Sequence, residues 1–509
     1  MQLSTFSLFM RGSSFRVLQT LVGIAIGFLM MPFLIGALGK EVYGLWVVVG
    51  SVVGTYYLLD MGFSQAVTRF VTKYIHQQRY EDANKIINTA LVIYAVLGLL
   101  VLAVSCVFAF VGTERLVDEP QHVSMVQMVL LIAGLQLAIE FPSKAFPGVI
   151  SAYMRFDWVA KVRTVKTIID ALLIYYFVSQ GHGIIAMALV GFVTGLLSTA
   201  IYVVMVNRLF TQLKYSKSLV NKETLKGVYS FSKWVFVIDL NTMFRDKLDL
   251  WFIAYLLGAS VLTVYYVAIR LVDYAITFLT QATSMTGPIF TEYYAKQQWD
   301  QLRESLIRFI KLDAFLAVTC FLGFVLVGEV FILLWMGDEF PARSAWQCLI
   351  ILAAGRLMVY ITSPLISLLM TFNKHRFGAV LSMVETSCVA VLCAILVPRY
   401  ELIGAAVAVS LPTLVGRLVV LPWYCNRIFA FMHYGWMARL VAFLAFNAAG
   451  FTALYLISSS YLTGLVEVAI GGLGLVFVCL IAGSVLLSKS DVKEIKFLIS
   501  KKKAVITNG

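Results

Sequence analysis

Charge is scarce in this chain: Asp, Glu, Lys and Arg together make up 13% of its 509 residues. A soluble domain carries about twice that share, so a soluble globular fold is excluded. Histidine is scarcer still, with five residues that form no cluster. The seven cysteines (Cys106, Cys320, Cys348, Cys388, Cys393, Cys425 and Cys479) all fall in apolar stretches. None has metal-ligand spacing or sits in a loop suited to a disulfide, so they read as small core residues. No Walker loop, dinucleotide fingerprint or zinc-binding helix is present. The segments between apolar runs are too short for a catalytic domain. The sequence therefore offers no enzyme, no ATPase engine, no resident cofactor and no metal site.

What is present is apolar residue: 61% of the chain is hydrophobic, and the mean hydropathy is +0.88. The class is an all-α polytopic membrane protein. Hydropathy predicts about fourteen membrane-spanning helices. They fall at 14–37, 42–70, 86–112, 124–153, 160–179, 182–206, 228–257, 259–291, 306–334, 343–372, 377–398, 402–424, 436–458 and 462–487. The run after Arg11 and Arg16 is too long for a signal-peptide core and lacks a small-residue cleavage site, so it reads as a retained first helix. With the N-terminus in the cytoplasm, about thirty Lys and Arg fall inside and about four outside. The inner set includes Arg155, Lys161, Arg163, Lys214, Lys217, Lys222 and Lys226, with Lys489, Lys493, Lys496 and Lys501 in the tail. The outer set is Lys40, Arg115, Arg343 and Arg399. This bias predicts an even helix number with both ends inside. It also accounts for the net charge of +13 without nucleic acid.

One stretch breaks the apolar pattern. Tyr229 to Leu257 is long enough to span once, yet it carries Asp239, Arg245, Asp246, Lys247 and Asp249. Each such charge costs roughly 2.5–3.5 kcal/mol at a lipid-facing helix centre. Five of them facing lipid would forbid insertion, so they are paired or they line a wet cavity. An internal repeat argues that the stretch is one helix rather than two joined by a polar loop. Leu38-Gly39 recurs at Leu257-Gly258, Tyr80-Glu81-Asp82 at Trp299-Asp300-Gln301, Arg155-Phe156 at Arg376-Phe377, and Asn207-Arg208 at Asn426-Arg427. The repeat predicts two parallel six-helix lobes, 1–213 and 214–430, then two further helices within 431–487 and a basic cytoplasmic tail, 488–509. Two equal lobes suit rocking about a central cavity.

The remaining charges inside apolar segments are few: Asp60, Glu140, Lys144, Asp170, Arg270, Asp273, Arg356, Glu385 and Arg417. Arg245, Lys247, Arg270, Arg356 and Arg417 form a candidate basic lining, with Lys144 reaching in from the first lobe. Guanidinium forks and ammonium point charges suit phosphate oxygens. Asp60, Glu140, Asp239, Asp249 and Asp273 are candidates for gating or for coupling to a proton or Na⁺ gradient. The pairs Glu140–Lys144, Arg245–Asp249 and Arg270–Asp273 have a second reading as neutralised pairs that only fix packing.

Several short motifs carry a resemblance. They are Tyr43-Gly44-Leu45-Trp46, Leu59-Asp60-Met61-Gly62, Phe231-Ser232-Lys233-Trp234, Arg245 with Asp249, Ala268-Ile269-Arg270-Leu271, Trp335-Met336-Gly337 with Phe340, and Gly404-Ala405-Ala406. Their order resembles the polysaccharide-transporter branch of the multidrug/oligosaccharidyl-lipid/polysaccharide flippase superfamily. That resemblance implies a flippase for undecaprenyl-diphosphate-linked oligosaccharide in the bacterial inner membrane, serving O-antigen, capsule or exopolysaccharide assembly. It implies a V-shaped, two-lobed helical fold whose cationic cavity residues map onto Arg245, Arg270 and Arg356. The partners are the lipid-linked glycan, membrane lipid, and a polymerase and glycosyltransferases of the same pathway. Two other readings remain open: a multidrug or small-molecule exporter of the same superfamily, and a scaffold that moves nothing.

Overall fold

A computed structural model of the chain describes residues 5–60, 63–113, 117, 119–153, 155–220, 222–283 and 286–429. The two expected C-terminal helices and the basic tail lie outside the described residues. Within them the protein is helical throughout, with no strand. Among the described residues, eight helical runs are long and apolar enough to cross a membrane, which makes this a multi-pass membrane protein. The helices α6 (Phe156–Ser179) and α8 (Lys222–Leu257) are of similar length but carry more charge.

The first helix, α1, runs Thr5–Thr55 and is broken at Gly39, where φ is +80°. Its end leads through a 3-10 turn, Tyr56–Asp60, into α2 (Phe63–His76). The expected helix 42–70 is thus interrupted. The Asp60 carboxylate accepts the backbone N–H of Ser64 at 3.3 Å, as a capping side chain does. The helix α3 spans Tyr80–Val107, and α4 spans Pro120–Glu140. A 3-10 turn at Phe141–Lys144, containing Pro142, separates α4 from α5 (Ala145–Ala152). Proline removes a helical donor, which explains why the expected 124–153 helix breaks there. The rest of this half is α6, α7 (Gly183–Leu209) and α8.

The second half repeats the first with α9 (Ala259–Ala282), α10 (Thr286–Ala295), α11 (Trp299–Met336), α12 (Ala342–Tyr360) and α13 (Ser363–Thr371). It closes with α14 (His375–Leu414), broken at Glu401, and α15 (Leu421–Ile428). The repeat is visible in backbone geometry. Gly39 and Gly258 both hold positive φ, +80° and +86°, and so do Gln78 and Gln297, +59° and +54°. At the latter pair the helix closes with the same long-reach bond: Arg79 N–H to the Tyr74 carbonyl, and Gln298 N–H to the Tyr293 carbonyl. That is a left-handed helix cap, and every pair stands 219 positions apart.

By contact the chain divides into two compact units, Met1–Tyr266 and Val267–Gly509. The helix α8, assigned to the second lobe by the repeat, packs on α1, α2 and α3 and so belongs by contact to the first unit. The repeat marks equivalent chain segments, whereas contacts mark what packs together. The core of the first unit gathers Val71, Ile87, Tyr94, Phe141, Val149 and Val206. Large apolar side chains such as Leu99, Val107, Phe110 and Leu172 face outward. That is the pattern of helices solvated by lipid rather than water.

Helix approach uses small residues. Gly134 of α4 is buried against Ser105 of α3, and a Cβ added there would overlap the serine side chain. Such crossings hold membrane helices by close packing. Gly134→Val is expected to cost about 1–3 kcal/mol through overpacking. It should lower the melting temperature of the detergent-purified protein. Gly23→Val, made where nothing beyond the helix's own backbone lies within 4 Å, should leave that temperature unchanged.

Candidate functional site

The charged stretch is one continuous helix, α8, so the polar-loop alternative does not hold. One side of α8 is anchored. Met243, Leu250, Ile253 and Ala254 are buried, and Trp251 Nε1 donates to Ser51 Oγ at 3.2 Å. Phe244 meets Trp251 edge to face. Asp249 is also on the buried side, 5% exposed. It accepts from the Tyr265 hydroxyl at 3.0 Å and from the Leu250 N–H at 2.9 Å. Its carboxylate is therefore held inside the packing rather than on the accessible side of the helix.

The other side of α8 stays accessible. Arg245 Nε meets Asp246 Oδ1 at 3.1 Å, with the two side chains 36% and 44% exposed. The pair suggested by spacing, Arg245 with Asp249, gives way to a pair between chain neighbours, because Asp249 has turned into the core. Lys247 is half-buried. The Tyr57 hydroxyl donates to the Asp239 carbonyl at 3.4 Å. The charges of Asp239, Asp246 and Arg245 all act on that tyrosine. Sequence reasoning did not name Tyr57; its neighbour Tyr56 is buried, and only the fold tells the two apart.

Asp60 closes this group. Beyond capping α2, it accepts the Tyr94 hydroxyl at 2.6 Å, and the buried Tyr94 ring stands edge-on to Phe141. Lys144 lies over the Phe141 ring at 3.8 Å, a cation–π contact. The charges of Asp60 and Glu140 both act on Lys144. The expected Glu140–Lys144 link is thus electrostatic, and no direct ion pair forms between them among the described residues. Glu140 instead accepts from Gln136 at 3.0 Å and fills the space beside Gly195. Lys166 and Asp170 pair on α6 at 2.6 Å. The first unit therefore brings together Asp60, Lys144, Asp239, Arg245 and Asp246.

In the second unit, Arg356 Nη1 on α12 meets Asp273 Oδ1 on α9 at 2.8 Å, with both side chains about one-third exposed. The expected pairing of Asp273 with Arg270 is replaced by this bond between helices. Arg417 is held differently. Its Nε and Nη2 grip both oxygens of Glu385 at 2.9 to 3.2 Å, with the arginine 13% and the glutamate 2% exposed. Gly416 leaves the room that Glu385 fills. With Nε and Nη2 held in an enclosed bidentate pair, Arg417 is less available than the more exposed Arg356 to meet an anion. The described residues hold one group with metal-ligand chemistry, Glu41, Glu119 and His122, whose carboxylates lie 3.2 and 3.7 Å from the imidazole. All three are partly solvated, which such groups commonly are without an ion.

These helices, with paired charges on their faces, can be compared with known proteins. Residues 37–344 match the family model described as polysaccharide biosynthesis protein. The chain belongs to that family. It stands in the polysaccharide-transporter branch of the flippase superfamily, among transporters rather than enzymes. It is 22% identical to the uncharacterized membrane protein EpsK of Bacillus subtilis, over 80% of this chain and 81% of that one. It is 18% identical to a putative O-antigen transporter of Shigella flexneri, over 78% of this chain and 93% of that one. Among solved structures, the lipid II flippase MurJ in an inward closed conformation aligns with a TM-score of 0.68 at 14% identity. The alignment covers 93% of this chain and 98% of that one. That likeness concerns the fold.

The enclosed pair yields a stability prediction. Arg417→Leu strands the Glu385 charge and is expected to destabilise the protein by about 3–5 kcal/mol. The double change Arg417→Leu with Glu385→Leu removes both charges and should recover most of that loss. Thermal unfolding of the three proteins in one detergent reads the difference.

Proposed function

We propose that this protein is a flippase for polyprenyl-diphosphate-linked oligosaccharide. It works by alternating access in the bacterial inner membrane and serves O-antigen, capsule or exopolysaccharide assembly. In this reading fourteen helices make two six-helix lobes and a C-terminal pair, with both chain ends in the cytoplasm. The solved structure named lipid II flippase MurJ supports the reading through its fold. The names of the O-antigen transporter and of the glycan flippase Agl15 of Haloferax volcanii support it through sequence.

The observation that carries the reading is the state of the arginines. Arg245 and Arg356 each keep about a third of the side chain accessible while holding a single carboxylate. Such a pair neutralises charge at rest and can exchange its carboxylate for a diphosphate oxygen, a partner with matching geometry and higher charge. Arg245, Lys247 and Arg356 are therefore the first candidates for the diphosphate. Arg270 and Lys144 follow, and Arg417, locked by Glu385, comes last. Asp246 and Asp273 act as the displaceable counter-charges. Asp60, Glu140 and Asp239 remain the groups for gating or for coupling to a proton or Na⁺ gradient. Polymerase and glycosyltransferase partners belong to the same proposal.

Arg245→Ala and Arg356→Ala are each expected to cut polymer export about tenfold or more, since each removes a charge-assisted contact worth about 1.5–3 kcal/mol. Lysine at either position should restore part of the rate. The readout is surface polysaccharide in a deletion strain complemented with each variant at equal membrane abundance. Full export by the double alanine variant would refute the assignment of these arginines and favour the scaffold reading.

A further inference from the structure

Several carboxylates of this chain are buried or partly buried, and they differ in what holds them. Asp157 and Asp170 each leave one oxygen unpartnered, but each holds a cation with the other: Arg155 at 3.2 Å and Lys166 at 2.6 Å. Glu385 is gripped by Arg417. Asp249 takes the Tyr265 hydroxyl. Asp313 on α11 is different. It is 1% exposed, and neither of its oxygens has a hydrogen-bond partner among the described residues.

The groups around Asp313 can be followed helix by helix. The helix α11 packs on α10, α12 and α13. Of the charged groups there, Arg356 is held by Asp273 and Glu292 by Lys296. Arg343 lies at the opposite end of α12 from Tyr360. Tyr293, Tyr294 and Cys348 are neutral, and α13 has no titratable side chain. On α11 itself Arg308 pairs with Glu304. Lys311, two residues before Asp313, points about 200° away round the helix. The polar side chain that acts on Asp313 is Thr283. The Thr283 hydroxyl lies 3.1 Å from the Leu279 carbonyl and 2.8 Å from the Tyr360 hydroxyl. Among the described residues no cation pairs with Asp313.

The repeat points the same way. Position 313 corresponds to position 94, Thr283 to Ser64, and Tyr360 to Phe141, each 219 apart. In the first unit Tyr94 is a buried hydroxyl that donates to Asp60. In the second unit a carboxyl stands where that hydroxyl stood, and Leu279 stands where Asp60 stood.

We propose that Asp313, with Thr283 and Tyr360, forms a proton-binding site of the C-terminal unit. The carboxyl is carried as the neutral acid in the enclosure beside Thr283 and Tyr360. It gives up the proton when transport admits water to the site. The proton-binding half stands independently of the proposed flippase reading; the release half rests on it. A buried carboxylate without a counter-charge is costly, and a bound proton removes that cost.

The test uses the full chain in nanodiscs. Infrared difference spectra between wild type and Asp313→Asn, at neutral pH in light and heavy water, should show a carboxylic-acid C=O stretch. The band should shift in heavy water and be missing in the variant, and sodium chloride should not alter it. Asp313→Asn, which copies the shape of the neutral acid, should melt at the wild-type temperature. A carboxylate band assigned to Asp313, or loss of the acid band on adding Na⁺, would overturn the proton as ligand. For the release half, Asp313→Asn should slow polymer export about tenfold or more while remaining folded. An unchanged rate, in a strain where the Arg245→Ala and Arg356→Ala variants do fail, would overturn proton release and leave the flippase reading intact.

Discussion

An ionised side chain that faces hydrocarbon pays for its lost hydration with nothing in return, at roughly 2.5–3.5 kcal/mol each on the insertion scale. Every charge on these helices has had to find water, a counter-charge or a proton, and three solutions coexist in one chain. Arg417 and Glu385 neutralise each other in an enclosed bidentate pair. Arg245 with Asp246, and Arg356 with Asp273, neutralise each other loosely and stay accessible. Asp313 has neither an ion-pair nor a hydrogen-bond partner among the described residues. The difference between these states separates residues that hold the protein together from residues available for work.

The same constraint shapes the backbone. A polar group left free in lipid is costly, so the chain is helical throughout its described length, and its interruptions fall where side chains or prolines can manage them. The 3-10 turn at Tyr56–Asp60 is closed by Asp60 itself. The turn at Phe141–Lys144 carries Pro142 and places Lys144 over an aromatic ring. Breaks in helices and intramembrane charges therefore occur together, and the charged groups of the first unit gather where α8 meets such a break.

Much of this was legible in the sequence, because hydropathy and repeat spacing are local or periodic signals. The helices α7 and α11 follow from apolar runs alone, and the continuity of α8 follows from its repeat partner near the N-terminus. Which carboxylate meets which arginine was not legible. Spacing placed Asp249 beside Arg245, but a tyrosine hydroxyl reaching in from α9 takes Asp249 into the core. Arg356 and Asp273 are 83 positions apart, and only the fold brings the two side chains within reach. Asp313 escaped notice for another reason. With Arg308 and Lys311 just before it, it reads as the polar edge of a helix, and nothing local says that the side chain points inward.

The central claim is that water reaches Arg245 and Arg356 on these helices while Arg417 is sealed. Single cysteines at the three positions, in a background freed of the native thiols including the exposed Cys388, would be treated in intact membranes with a membrane-impermeant maleimide. The account predicts labelling at 245 and 356 from one face or the other, slowed by a polyprenyl-diphosphate glycan, and little labelling at 417. Silence at 245 and 356 from both faces, with the protein folded, would place those side chains in lipid or sealed core and contradict the account.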